Sequence, residues 1–168
     1  MPLSARLLMQ LTAELTSPLD LTTGSAPLSF ARQVSFADGV GLNQANRIWS
    51  DERTLAASAN EDLDLAGTLT DPFGVAITLA RVKALFVAAS AANANNVVIG
   101  AAASNAFVGP FGAATHTLAV RPGGLLALTA PDATGYAVTA GTGDLLRVAN
   151  SGAGSSVTYQ IVVIGAAS

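Results

Sequence analysis

The sequence predicts an all-β fold: an antiparallel, jelly-roll-like β-sandwich over residues 28–168, preceded by an N-terminal arm over residues 1–27. Two observations lead to this fold class. From residue 28 onward, short segments alternate between apolar and polar residues, which is the period of a strand with one buried face. Clusters of Gly, Pro, Asn and Asp separate these segments at short intervals, as is typical of sandwiches and barrels. No stretch has a helical period long enough for the crossover that a parallel sheet requires.

The candidate strands alternate at their centres and end at turn residues. Leu28–Phe36 alternates and ends at Asp38-Gly39, and the last candidate, at residues 157–163, alternates most regularly. Arg121-Pro122-Gly123-Gly124 is the strongest turn signal. The other candidates cover residues 48–55, 63–65, 77–79, 82–87, 97–99, 118–120, 125–128, 136–138 and 145–148.

The N-terminal arm does not share the alternating pattern of the later segments. Ser4–Leu15 is predicted to form one short helix, because its leucines recur at a spacing that places them on one helical stripe. Pro18 and Pro27 bound a Thr-rich segment of linker character. We expect the stripe to pack on a sister subunit or on the assembly that the protein binds; the alternative is a strand and loop of the domain itself. The candidate partner-binding residues are Leu7, Leu8, Leu11 and Leu15.

Composition limits the possible partners. The 168 residues (16.8 kDa) suffice for one domain with a buried core. Only 11% of the residues are charged, against about 25% in an average soluble domain. The net charge of −3 argues against nucleic acid as a partner, because phosphate binding requires clustered Lys and Arg. Nine acidic residues and four arginines give residues 1–72 a net charge of −5, and two acidic and four basic residues give the remainder +2. This asymmetry is either chance or a sign of two faces with different neighbours.

The sequence offers little for catalysis, metal binding or membrane insertion. Cysteine is absent, which excludes disulfides, thiolate metal sites and thiol nucleophiles. The single histidine, His116, has no Gly-x-Ser-x-Gly motif to accompany it, so we expect a structural or surface role. The longest apolar run, Ala84–Ala92, is far shorter than a membrane-spanning helix, and no secretion signal is expected. We therefore expect no enzyme activity, no cofactor, no metal and no membrane partner.

Three local patterns have both a structural and a functional interpretation. Glu61-Asp62-Leu63-Asp64 fits a solvated strand face, and its alternative is a cation or partner contact or an acid–base pair. Gly141-Thr142-Gly143-Asp144 fits a turn better than a phosphate loop, because it lacks the Lys-Ser/Thr pair. Trp49 and Tyr159 fit the core, and their alternative is to stack a sugar or a base.

Eight further segments lie between residues 40 and 165: QANRIWSDERTL (44–55), DLAG (64–67), DPFG (71–74), RVKALFV (81–87), RPGG (121–124), APD (130–132), VTAGTGDLL (138–146) and VTYQIVVIG (157–165). Together they resemble small structural proteins of tailed bacteriophages. The resemblance extends over both halves of this range and includes no active-site motif.

This resemblance implies a jelly-roll capsid decoration, or cement, protein. Such a protein sits on the outer surface of the capsid as a symmetric oligomer and stabilises the shell by bridging major capsid subunits. The expected partners are therefore copies of the chain itself, with a trimer favoured, and the major capsid protein. The expected location is the virion, after synthesis in the host cytoplasm. The alternative function is a tail or baseplate module that binds host glycan, for which Trp49, Tyr136 and Tyr159 are the candidate aromatic residues.

Overall fold

The computed structural model describes residues 2–167, and every regular element in this range is a β-strand. The predicted all-β class is therefore confirmed. The strands are β1 (Ala5–Pro18), β2 (Thr23–Asp38), β3 (Gln44–Ala45), β4 (Arg47–Leu55), β5 (Asn60–Asp64), β6 (Arg81–Ala89), β7 (Val97–Gly100), β8 (Thr117–Val120), β9 (Leu125–Thr129), β10 (Tyr136–Ala137), β11 (Leu145–Asn150) and β12 (Val157–Ala166).

Two antiparallel sheets form a sandwich-like body. One sheet has the strand order β10-β6-β12-β4, with β9 also paired to β6, and the other has the order β5-β11-β7-β8. Apolar side chains from both sheets form one shared core. Its members include Trp49, Leu55, Leu63, Leu85, Val87, Val97, Ile99, Val120, Leu146, Val148, Tyr159, Ile161 and Val163.

The strand period explains which side chains enter this core. Along β12, Tyr159, Ile161 and Val163 are each at most 1% exposed and face the core, whereas Val162 and Ile164 belong to a second cluster on the outer face of the sheet. The predicted candidate at residues 77–79 lies outside the strands. Its apolar side chains are buried, but it runs as an irregular segment over the core.

The arm is a long β-hairpin, so the predicted helix at Ser4–Leu15 is wrong. β1 pairs with β2 from Ala5↔Phe36 to Pro18↔Thr23 without a register shift. The leucine spacing that fits a helix also fits a strand, because Leu7, Leu11 and Leu15 all occupy odd positions of β1 and Leu8 is the exception. Pairing with β2 gives alternate residues of β1 backbone hydrogen bonds along its whole length, whereas an isolated helix of this length is marginal in water.

The hairpin also includes Leu28–Phe36, the first strand predicted for the sandwich. β2 runs unbroken from Thr23 through Pro27 to Asp38, so Leu28–Phe36 pairs with the arm and not with a strand of the body. After β2, the short strand β3 pairs with its end in parallel, at Ala37↔Gln44. The hairpin therefore projects from the body as one continuous ribbon.

Candidate interaction surface

The root of the hairpin is fixed on the outer face of the five-stranded sheet. Phe36 is 2% exposed and packs in a buried cluster with Ala84 and Ile164 of that sheet. Ala5 and Val34 pack against the same cluster. The backbone N–H of Leu3 donates to Asp38 Oδ1 at 3.0 Å and closes the open end of the hairpin.

A buried lysine holds the loop that follows the hairpin. The register of β6 against β12 shifts at Ile164/Gly165, which leaves Lys83 without a partner residue on β12. Lys83 is fully buried, and its ammonium donates to the backbone carbonyls of Gly41, at 3.2 Å, and of Asp132. Burial lowers the pKa of Lys83, and the charge of Asp132 opposes this shift. The bulge thus aims a cation at two loops, one of which connects the end of β2 to β3.

Beyond the root, the hairpin has one apolar and one polar face. In an antiparallel pair, directly opposed residues lie on the same face, so the register assigns each residue to a face. The polar face carries Arg6, Gln10, Thr12, Glu14 and Thr16 of β1. The apolar face consists of Leu7, Met9, Leu11, Ala13 and Leu15 of β1 and Ala26, Leu28, Phe30, Arg32 and Val34 of β2.

The structure separates the four predicted leucines. Leu7, Leu11 and Leu15 lie on the apolar face, and Leu8 lies on the polar face. Leu7 is half-buried near the root, whereas Leu11 is 56% exposed and Leu15 is 76% exposed. Exposure therefore rises along the apolar face towards the tip, and none of the residues that the structure describes covers the distal part of this face.

Two further side chains make the distal apolar face distinctive. Phe30 lies opposite Leu11 in the register and is 48% exposed. The guanidinium of Arg32 lies 5.0 Å from the centre of the Phe30 ring, within the range of a cation–π contact. Arg32 is the one charged side chain on this face, and an aliphatic and aromatic surface surrounds it.

An apolar groove lies beside the root of the hairpin. It has a volume of about 420 Å³. Its apolar lining includes Leu3 and Ile48, which are half-buried, and Phe73 and Val75, which are exposed. We call this feature the root groove. Its complete lining is Pro2, Leu3, Asn46, Arg47, Ile48, Asp71, Pro72, Phe73, Val75 and Ala76.

A tight turn holds Phe73 at the rim of the root groove. Asp71 Oδ1 accepts hydrogen bonds from the backbone N–H groups of Phe73 and Val75, both at 2.9 Å. Gly74 has a φ of 80°, a conformation that favours glycine. Phe73 is 75% exposed and Val75 is 57% exposed. The sequence marks this turn through Asp-Pro-x-Gly, but nothing in the sequence shows that its phenylalanine points outward.

The aromatic residues considered for glycan stacking are buried. Trp49 is 5% exposed, and Tyr159 is fully buried. The Tyr159 hydroxyl donates to Glu61 Oε1 at 2.6 Å, and Arg53 Nη1 donates to Glu61 Oε2 at 2.5 Å. Burial first, and the carboxylate of Glu61 second, raise the pKa of Tyr159 above its ordinary value. Neither Trp49 nor Tyr159 has a free face for a sugar ring.

The remaining predicted sites have structural partners. His116 Nδ1 lies 2.7 Å from the carbonyl oxygen of Phe111. Asp62 forms a two-pronged ion pair with Arg147, at 2.8 Å for each hydrogen bond. The Asp144 carboxylate accepts the N–H of Gly141 and thereby closes the predicted turn. Across residues 2–167, no three His, Asp or Glu side chains come together as a metal site.

Comparisons with known proteins add no relative. Neither the family models, the curated proteins nor the solved structures contain a match to this chain. In the part of the chain that the structure describes, no helix has the length and apolar character needed to cross a membrane. The hairpin and the root groove are therefore the candidate functional surface on geometric grounds alone.

Proposed function

We propose that this chain is a structural virion protein of a tailed bacteriophage. It binds the outer surface of the capsid as an oligomer and stabilises the shell by bridging major capsid subunits. It is made in the host cytoplasm, and no catalytic role is proposed. The observation that carries this proposal is the hairpin, which presents an uncovered apolar face on a root that is fixed to a β-sandwich body.

The order of the body strands supports the jelly-roll part of the proposal. A jelly roll has eight strands, and the first pairs with the eighth, the second with the seventh, the third with the sixth and the fourth with the fifth. The antiparallel pairs β4·β12, β5·β11, β6·β9 and β7·β8 follow this scheme when the eight main body strands are counted in chain order. Capsid proteins and lectins both use the jelly roll, so this order favours a class of folds and not one function.

The hairpin supports the assembly part of the proposal. Burying an apolar side chain contributes about 1.5–3 kcal/mol, and Leu11, Leu15, Leu28 and Phe30 are all about half exposed or more. A rigid ribbon with such a face is typical of surfaces that bind another protein. Because Lys83 and Phe36 fix the root, little ordering of the hairpin is required when a partner covers it.

The alternative function, a tail or baseplate module that binds host glycan, has less support. Sugar recognition uses aromatic rings with a free face, and two of its three candidates, Trp49 and Tyr159, are buried. The third, Tyr136, is half-buried in the short strand β10. The exposed aromatic residues Phe30 and Phe73 lie in apolar surroundings, which suit a protein partner better.

Copy number in purified particles tests the proposed function. Quantitative mass spectrometry, with the major capsid protein as the internal standard, measures how many copies each particle carries. A shell protein is expected on the order of hundreds of copies, because it repeats with the symmetry of the shell. A dozen copies or fewer would place the protein in the tail and overturn the proposal.

A further inference from the structure

We propose that the distal apolar face of the hairpin packs into the root groove of a second copy of this chain. Each root groove thus binds the hairpin of one neighbouring copy, and each hairpin packs into the groove of a neighbour. This inference depends on the geometry of the chain and not on the proposed capsid role.

The length of the hairpin excludes the groove of the same chain. Leu3 lines the root groove, and Leu11 and Leu15 follow it by eight and twelve residues along an extended chain. At roughly 3.4 Å per residue, these separations are about 27 and 41 Å. The hairpin cannot fold back over such a distance, because unbroken pairing from Ala5 to Pro18 keeps it extended. Only another copy can bring a distal hairpin to this groove.

The two surfaces are complementary in chemistry. The hairpin offers a ridge of aliphatic and aromatic side chains around Leu11 and Phe30, and the groove offers a concave apolar lining whose rim residue Phe73 is 75% exposed. The single charge of the ridge, Arg32, meets a groove that carries one carboxylate, Asp71, beside one further cation, Arg47. One contact therefore covers both exposed apolar surfaces and places Arg32 against a groove whose two charges, Asp71 and Arg47, are of opposite sign.

The intramolecular packing of the root provides a precedent for this contact. At the root, Val34 and Phe36, on the same face of the hairpin, already pack against the cluster that includes Ile48. Ile48 also lines the root groove, so the groove continues the surface that the hairpin already contacts in its own chain. Because hairpin and groove are different surfaces, repeating the contact around a rotation axis builds a closed ring, such as the proposed trimer.

Substitutions on the two faces of the hairpin test the first surface. Leu8 and Leu11 are almost equally exposed, at 55% and 56%, and they lie on opposite faces of one strand. Leu11→Asp should weaken self-association by at least about 30-fold, because it places a carboxylate in an apolar contact. Leu8→Asp is the matched control and should assemble like the wild type. Sedimentation equilibrium measures both, and circular dichroism confirms that each variant is folded.

A substitution in the groove tests the second surface. Phe73→Asp should also give a monomer, whereas Leu125→Asp, at a residue 67% exposed on β9, should not. Mixing Leu11→Asp chains with Phe73→Asp chains restores one intact hairpin and one intact groove. The mixture should form a one-to-one heterodimer that neither variant forms alone. Stacking of one hairpin on another predicts neither the effect of Phe73→Asp nor this rescue.

Crosslinking tests the contact directly, since the chain has no cysteine of its own. A chain with Leu11→Cys mixed with a chain with Phe73→Cys should form a disulfide-linked dimer, and Leu8→Cys in place of Leu11→Cys should not. A monomeric wild type at tens of micromolar, full assembly of Phe73→Asp, or no heterodimer in the mixture would each overturn the inference. These measurements use no capsid, so they can fail or succeed independently of the copy number in particles.

Discussion

Tyr159 shows how one buried polar group joins the two sheets. It lies on β12 of the five-stranded sheet and donates to Glu61 on β5 of the four-stranded sheet, which also accepts from Arg53 on β4. A hydrogen bond to a charged group contributes about 1.5–3 kcal/mol. The sequence places Tyr159 in the core through strand alternation, but its partner lies 98 residues away and carries no local signal.

Replacing Tyr159 by Phe should lower the free energy of unfolding by about 1.5–3 kcal/mol at neutral pH. The raised pKa of Tyr159 adds a dependence on pH. The folded state retains the phenol proton above pH 10, where the unfolded state releases it. This contribution to stability is therefore complete below pH 10 and is lost progressively above it. Urea denaturation between neutral pH and pH 11 measures both effects.

Tyr136→Phe is the control, because it leaves the bond between Tyr159 and Glu61 in place. In Tyr136→Phe, the free energy of unfolding should still fall above pH 10 by the amount that Tyr159 causes. In Tyr159→Phe, this contribution to the fall should be missing. Equal declines in the wild type and Tyr159→Phe would show that the phenol proton is not held in the folded state.

The surroundings of Lys83 show where strand alternation fails to predict which side chains face the core. Strict alternation along β6 would place Val82 on the same face as Ala84 and Phe86. The bulge at Lys83 instead turns Val82 into the main core and leaves Ala84 and Phe86 on the outer face. A bulge depends on the partner strand, here β12, so the sequence of one strand does not reveal it.

At the scale of elements, the hairpin shows why the arm was predicted as the wrong element. The spacing of Leu7, Leu11 and Leu15 fits a helical stripe and a strand face equally well. β1 is a strand because Thr23–Asp38 supplies a pairing partner along its whole length. The sequence of β1 alone does not reveal this partner. The strands of the body, in contrast, are each bounded by their own turn residues, and nearly all of them are predicted correctly.

Shortening the hairpin should abolish assembly and preserve the fold. Removing residues 9–32 and joining Leu8 to Gln33, which are opposed in the register, through Asn-Gly retains the root pair Ala5↔Phe36. None of the removed residues belongs to either core cluster, so the free energy of unfolding should change by less than about 1 kcal/mol. Thermal denaturation and light scattering measure the two properties.

The full chain under the same conditions is the control for the shortened hairpin. Unfolding of the shortened chain would mean that the distal hairpin belongs to the folding core. Assembly equal to that of the full chain would mean that the distal hairpin is dispensable for self-association.

For the whole molecule, the low charge content predicts how the proposed self-association responds to salt. Charged residues make up 11% of the chain, and the uncovered surfaces on the hairpin and in the root groove are apolar. Self-association through them should therefore persist when sodium chloride rises from about 0.05 to 0.5 M, because screening weakens contacts between exposed charges and not apolar burial. Sedimentation equilibrium over this range of salt concentration measures the strength of self-association. Dissociation at high salt would point to a contact dominated by charge.

The proposed function requires that the protein decorates a phage shell as a symmetric oligomer. A cryo-electron microscopy reconstruction of purified particles tests it most directly. We expect density for the β-sandwich body on the outside of the shell, repeated around a symmetry axis, with each hairpin crossing to the neighbouring copy. Particles whose shell lacks this density, or carries it only at the tail, would contradict the proposed function.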